Sequence, residues 1–180
     1  LEAEPLFSRE KLADVYTQTF QFVTQMNNTK SLKDLCALVA EATREITGYD
    51  RVMIYRFDEQ YNGEVFAESC REDLEPFLGL HYPHNDIPPQ ARELYIKNML
   101  RLIVDVGYEP VPIFTVDDSE NKNLDLSFSI LRSTSPIHVE YLQNMGVGAT
   151  LTISLIHHGR LWGLIAYHHY SEKNISPDIR

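Results

Sequence analysis

The sequence predicts an α+β domain with a largely antiparallel central sheet flanked by helices. Three observations predict it. Apolar residues recur at helical spacing up to Gly48; β-branched and aromatic runs follow at 51–57 and 64–70; and two further strands, 149–157 and 161–170, are joined by a tight turn at His158-Gly159. Helices lead, and strands are linked by short turns. That order fits hairpin pairing and not alternating βαβ units.

Taken in order, Ser8 caps a first helix with Glu10 in its first turn, and Leu12, Val15, Tyr16, Val23 and Met26 keep the spacing up to Asn27-Asn28. Phe20 and Phe22 widen its apolar stripe, so this helix has surface left to pack on a second copy or a neighbouring domain. Ser31 opens a second helix with Leu32, Leu35, Cys36, Val39, Ala42 and Ile46 on one face, and Gly48 closes it. The strands at 51–57 and 64–70 flank a turn over 59–63, and 71–86 is irregular, with Pro76, Gly79 and Pro83. Asp86 is read as capping a helix that runs past Tyr95, its prolines tolerated in the first turn. Strands are expected at 101–106 and 111–116, then a polar loop over 117–123. Ser135-Pro136 opens a helix carrying Ile137, Val139, Tyr141 and Leu142, which stops at Gly146. Residues 1–30 lead in, 31–170 form the domain, and the polar 171–180 tail begins a linker or a following helix.

Composition removes several function classes. With 180 residues, 43% of them hydrophobic, the chain is one domain's length and has enough apolar side chain for a core, which excludes disorder. No run of about 18 apolar residues is present, and the opening Leu1-Glu-Ala-Glu is no secretory signal, so a cytoplasmic location is expected. Cys36 and Cys70 make neither a disulfide framework nor a zinc cage. The net charge of −10 argues against a nucleic-acid partner. No P-loop, Rossmann fingerprint, nucleophile elbow or H-E-x-x-H helix occurs.

Seven histidines lie in the second part of the chain: His81, His84, His138, His157, His158, His168 and His169. They do not make a metal site, because neighbours such as His168 and His169 point to opposite faces of a strand. His157 and His158 fall at the hairpin turn. A mixed constellation is more informative. His138 sits among apolar helix residues, one of His168 and His169 must face inward, and Arg101 and Arg132 are rooted in apolar segments. With Thr150 and Thr152 on one strand face and Asp86 at a helix start, these residues outline a roofed pocket with a few convergent polar groups. Two arginines there imply carboxylates or phosphates on the ligand.

The segments Asp50-Arg-Val-Met-Ile-Tyr-Arg-Phe57, Gly63-Glu-Val-Phe-Ala-Glu68, Asp86-Ile-Pro88, Ala91-Arg-Glu-Leu-Tyr95, Leu131-Arg-Ser133, Ser135-Pro-Ile-His-Val-Glu-Tyr-Leu142, Asn144-Met-Gly146 and Leu161-Trp-Gly-Leu-Ile165 together resemble the chromophore-binding GAF domain of phytochromes, closest to bacteriophytochromes. The resemblance runs from about 31 to 170. It implies a GAF fold and an open-chain tetrapyrrole ligand, biliverdin in particular. It implies that Arg101 and Arg132 meet the propionates with help from Thr150, Thr152 and Tyr95, and that Asp86, beside Ile87, accepts from pyrrole N–H groups. His138 would stack near the rings, His168 would bond the terminal ring's carbonyl, and Tyr55, Tyr82 and Tyr141 would line the space in which that ring turns. It further implies PAS and PHY-type neighbours, a histidine-kinase output and no catalytic activity in this chain; a homodimer through the first helix is expected from that helix's spare apolar surface.

The chain also departs from the family pattern. Ile137 stands where the plant and cyanobacterial branch carries its thioether cysteine, so the bilin is expected to be non-covalent here, with Cys70 and then Cys36 as outside candidates. His84 and Asn85 are bulkier than the family's residues before Asp86, and a loop over 106–135 leaves Ile113 and Phe114 exposed. Two other readings stay open: a GAF domain for a nucleotide or other small effector, and a ligand-free dimerisation domain.

Overall fold

The computed structural model describes residues 12–114 and 124–180, with side chains from residue 15 onward. The Ser8 cap, Glu10, the polar loop over 117–123 and the end of the strand expected over 111–116 lie outside the described residues.

Helices α1 (Leu12–Met26) and α2 (Leu32–Thr47) precede β1 (Arg51–Phe57), β2 (Gly63–Cys70) and a two-residue β3 (His81–Tyr82). Then come α3 (Pro89–Lys97), β4 (Leu100–Ile103), α4 (Pro136–Asn144), β5 (Ala149–His157) and β6 (Arg160–His169). The strands form one sheet in the order β3-β2-β1-β6-β5-β4, and every pairing is antiparallel. The β5–β6 hairpin turns through His158 and Gly159, both at positive φ, which matches the right-handed twist of the strands it joins.

Period-two alternation divides the sheet into two faces. Val52, Ile54, Leu102, Leu151, Ile165 and Tyr167 point to the α2 side and bury Cys36 and Ala40 against them. Ser31 caps α2 through the Asp34 amide, and Gly48 ends it in the left-handed conformation that a side chain disfavours. The opposite face carries Arg51, Met53, Tyr55, His168, Thr150, Thr152 and Arg101, which the ladder sets in adjacent rows. This second face holds the candidate site.

Four local expectations are corrected. Helix α3 starts at Pro89 with Pro88 as its N-cap, not at Asp86, because each residue before a proline is pushed out of the helical region. Strand β4 ends at Ile103, and the Gly107 amide turns back to the Asp105 carboxylate at 2.7 Å. Residues 111–114 are not a strand; Val111 and Phe114 are exposed there without ladder partners. The 171–180 segment is anchored, although its composition is polar. Ile175 is buried in the α2-side core with Ile179 against it, and the Lys173 amide donates to the Val104 carbonyl at 2.9 Å. Strand β3 escaped the sequence reading because two residues show no period.

Candidate functional site

His168 and His169 separate as adjacent strand residues must. His169 lies on the α2 side, with Nδ1 2.8 Å from an Asp50 carboxylate oxygen. His168 turns to the site face, where it is buried, and its Nδ1 has no hydrogen-bond partner among the described residues. Burial and the neighbouring Arg51 and His138 hold its pKa down at about 3, so the ring is neutral at pH 7. Thr150 stands directly across the ladder from it.

Helix α4 lays His138 over this face. Its ring stacks on Tyr141 at a centroid distance of 6.4 Å, and burial together with Arg101 lowers its pKa to about 4. Arg101, paired in register with the buried Thr152, places its guanidinium 4.8 Å from the centre of the Tyr95 ring. Tyr95 is itself buried, and its carbonyl accepts from the Ser154 hydroxyl at 2.7 Å. Its ring therefore supports Arg101 from below. Arg132 shares a cavity of about 110 Å³ with Arg101, Leu94, Ile130 and residues 133–135. One Arg132 nitrogen donates to the Ser129 carbonyl at 2.7 Å, which ties the side chain to its own loop.

The tyrosines gather at the other side of the face. Tyr55 lies 5.8 Å from Tyr82 and meets Phe57 edge-on, and Ile87 packs with Tyr55 on a cluster that contains Phe57, Tyr95, Leu161 and Leu164. Asp86 sits exposed on the turn before α3, with no capping role, and its charge acts on these tyrosines. Burial raises the pKa of Tyr55 and Tyr141, to about 12 for Tyr141, and the other tyrosines and Asp86 add to the rise. His84 and Asn85 are exposed on the same turn, and Ile137 is exposed on α4.

Tyr55, Arg101, Thr150, Thr152 and His168 thus share one face of the sheet, with Tyr82, Ile87 and Tyr95 packed beside them. His138 and Tyr141 lie on α4, Asp86 on an exposed turn and Arg132 across a cavity from Arg101; together these residues do not close a roofed pocket. The cavity between the arginines has room for an acidic arm of a ligand and not for its body. A larger cavity, about 500 Å³, lies at the far strand ends around Phe57, Asn62, Arg160 and Trp162, and contains none of the candidates. Among the described residues no cluster of three metal-ligating side chains occurs, and no helix is long and apolar enough to cross a membrane. Sequence reasoning missed two site-face residues, Arg51 and Glu68. The alternation Arg51, Met53, Tyr55, Phe57 was the signal that places Arg51 on this face.

Residues 31–178 match the GAF domain. The chain belongs to the GAF domain family. This GAF domain is 52% identical over 157 residues to cyanobacterial phytochrome B of Nostoc sp., covering 87% of this chain and 21% of that protein. It is 50% identical over 161 residues to a bacteriophytochrome of Pseudomonas aeruginosa, covering 89% of this chain and 22% of that protein. The chain therefore spans about a fifth to a quarter of the length of such relatives. Among solved structures, the wild-type chromophore-binding domain of a Stigmatella aurantiaca phytochrome superposes with a TM-score of 0.92 at 42% identity, over 98% of this chain and 59% of that one. The photosensory core module from the same organism gives 0.94 at 42% identity, over 98% of this chain and 36% of that one. Phytochrome-type GAF domains are thus the structural neighbours of this one.

Proposed function

We propose that this GAF domain is a photosensory module that binds a linear tetrapyrrole, biliverdin being the expected one, and passes a light-driven change to other parts of a longer receptor. The observation that carries the reading is the buried His168 ring, whose Nδ1 lacks a hydrogen-bond partner among the described residues, on the face that carries Arg101, which shares a cavity with Arg132. A buried polar atom left unpaired is costly, and a ligand carrying polar groups along a conjugated apolar body would engage this face. The similarity to phytochromes and to a solved chromophore-binding domain supports it.

In this reading Arg101 and Arg132 hold the propionates, Thr152 stands beside Arg101, and Tyr95 keeps the Arg101 guanidinium in place through its ring. Asp86 accepts hydrogen bonds from the central ring nitrogens. His138, neutral at pH 7, offers one N–H and one lone pair near them, and can take or give a proton as the ring charge changes. His168 and Thr150 face the terminal ring, and Tyr55, Tyr82 and Tyr141 bound the space around it, with Ile87 as an apolar neighbour. When bound, the bilin supplies light absorption and isomerisation of a methine bridge. The protein's part is to bias a two-state structure through contacts that differ between the isomers. Attachment is read as non-covalent, since Ile137 offers no thiol and Cys36 is a core residue whose thiol burial pushes up in pKa; the half-buried Cys70 at the end of β2 is the thiol that a covalent adduct would use instead.

The exposed Tyr16, Phe20 and Val23 on α1 are read as a surface for a second copy. PAS and PHY-type neighbours, a histidine-kinase output and a cytoplasmic location complete the proposal for the longer protein. Mixing the chain with biliverdin tests it. A red or far-red absorption band that changes under red light is the expected result. No band, with tight nucleotide binding by calorimetry, would replace the reading with an effector-binding GAF domain.

A further inference from the structure

We propose that Arg51 is a positioning residue for the ligand site: paired with Glu68, it clamps the 75–80 segment onto the site face and holds the aromatic wall of Phe77 and Tyr82 in place. The identity of the ligand rests on the bilin reading above; the clamp rests on geometry alone.

Arg51 and Glu68 form an ion pair whose side chains are 1% and 3% exposed. Burying two charges is expensive unless further hydrogen bonds satisfy both groups. Here those further bonds go to one segment, and only the Arg51 Nε is left without a partner among the described residues. The Arg51 Nη2 donates to the Glu75 carbonyl at 2.6 Å, and the second Glu68 oxygen accepts from the Phe77 and Leu78 amides, both at 2.8 Å. The Phe77 ring lies 3.8 Å from the guanidinium carbon, so the cation also stacks on the segment it holds. Beyond Leu78 the chain bonds back to Val65 through the Gly79 amide and the Leu80 carbonyl, then enters β3. Two residue pairs are too short a ladder to stand alone, so the placement of Tyr82 against Tyr55 depends on what fixes the segment before it. Arg51 also lies directly across the ladder from His168, which joins the clamp to the middle of the site.

Lysine keeps the charge but not the planar fork, so it cannot bond Glu68 and the Glu75 carbonyl together while lying flat on Phe77. Arg51→Lys is therefore the discriminating variant. Glu68→Gln is a milder second one that keeps an acceptor for the amides and removes the charge opposite Arg51. Hydrogen exchange on the ligand-free chains reads the clamp, and biliverdin spectra read its consequence. In both variants the amides of 75–82 should exchange about tenfold faster or more, the equivalent of one lost bond, while β5 and β6 keep their protection. With biliverdin, the absorption band should broaden and the photoconverted fraction should fall. Unchanged exchange over 75–82 overturns the clamp. Faster exchange with an unaltered band and photoconversion overturns the positioning role. Should the unmodified chain give no biliverdin band, the bilin reading fails and takes the positioning role with it; exchange in the ligand-free chains still judges the clamp separately. If Arg51→Lys does not fold, Glu68→Gln carries the same comparison.

Discussion

The Tyr55 ring lies across Gly63, over the position that a Cβ would occupy. Gly63 pairs with Phe57 on one side and Tyr82 on the other, so the missing side chain is what lets Tyr55 lean toward β3. Gly63→Ala should destabilise the domain by about 1–3 kcal/mol through overpacking, read as a lower urea midpoint. Adding Tyr55→Phe should not rescue it, because ring carbons as well as the hydroxyl occupy that space. Rescue by phenylalanine would show that the hydroxyl alone is in conflict.

Arg132→Ala should weaken biliverdin binding by about tenfold, the loss of one charge-assisted hydrogen bond. The measurement is a titration of the absorption band. Arg101→Ala should do the same, since both arginines line one cavity. Equal affinity in either variant would remove that arginine from the propionate assignment.

Stability should fall as the pH drops from 6.5 toward 4. His168 and His138 both sit below the ordinary histidine value of 6.5, at about 3 and about 4, so between those limits the unfolded chain binds protons that the folded chain does not. Their contribution is fully present above 6.5 and is lost as the pH falls through the folded values. Urea unfolding at a series of pH values reads this slope, and His168→Gln should flatten it. An unchanged slope in that variant would show that His168 is not a buried neutral ring.

Ile175→Ala should cost about 2–4 kcal/mol, the usual effect of truncating a buried isoleucine. Ending the chain at residue 170 should cost at least as much in thermal unfolding. A neutral outcome for both would make the 171–180 segment a plain linker.

Phe20→Glu on α1 should shift the chain to monomer in light scattering if a second copy covers that face. An unchanged oligomeric state would assign the face to another occupant.

Much of this was legible in the residues themselves. The bounds of β1 match the sequence reading, and those of β2, β5 and β6 fall within one residue of it, because alternation over seven or more residues between turn signals has a single reading. The cap at Ser31 and the stop at Gly48 were legible for the same local reason. Of the candidate site residues, Asp86, His138, Arg101, Arg132, Thr150, Thr152 and one of His168 and His169 were legible from residue type and placement. Tyr55, Tyr82, Tyr95, Tyr141 and Ile87 were legible only through the resemblance to a family, since their spacing along the chain is irregular. The start of α3 was misread because an acidic side chain before an apolar run mimics a cap, while consecutive prolines decide the backbone.

By itself, the sequence determined local conformation and which residues share a face, because both follow from φ/ψ preferences and side-chain period. Only the tertiary structure decided which face was which. It set His168 and not His169 on the site face, which strand alternation alone left open and the family resemblance implied, because the α2-side cluster takes Ile165 and Tyr167 of β6 and sends the alternate residues to the other side. It also buried Arg51 with Glu68, and folded Ile175 back into the core. These are contacts between residues distant along the chain, and no local pattern encodes which partner will be there to satisfy a buried charge or cover an isoleucine.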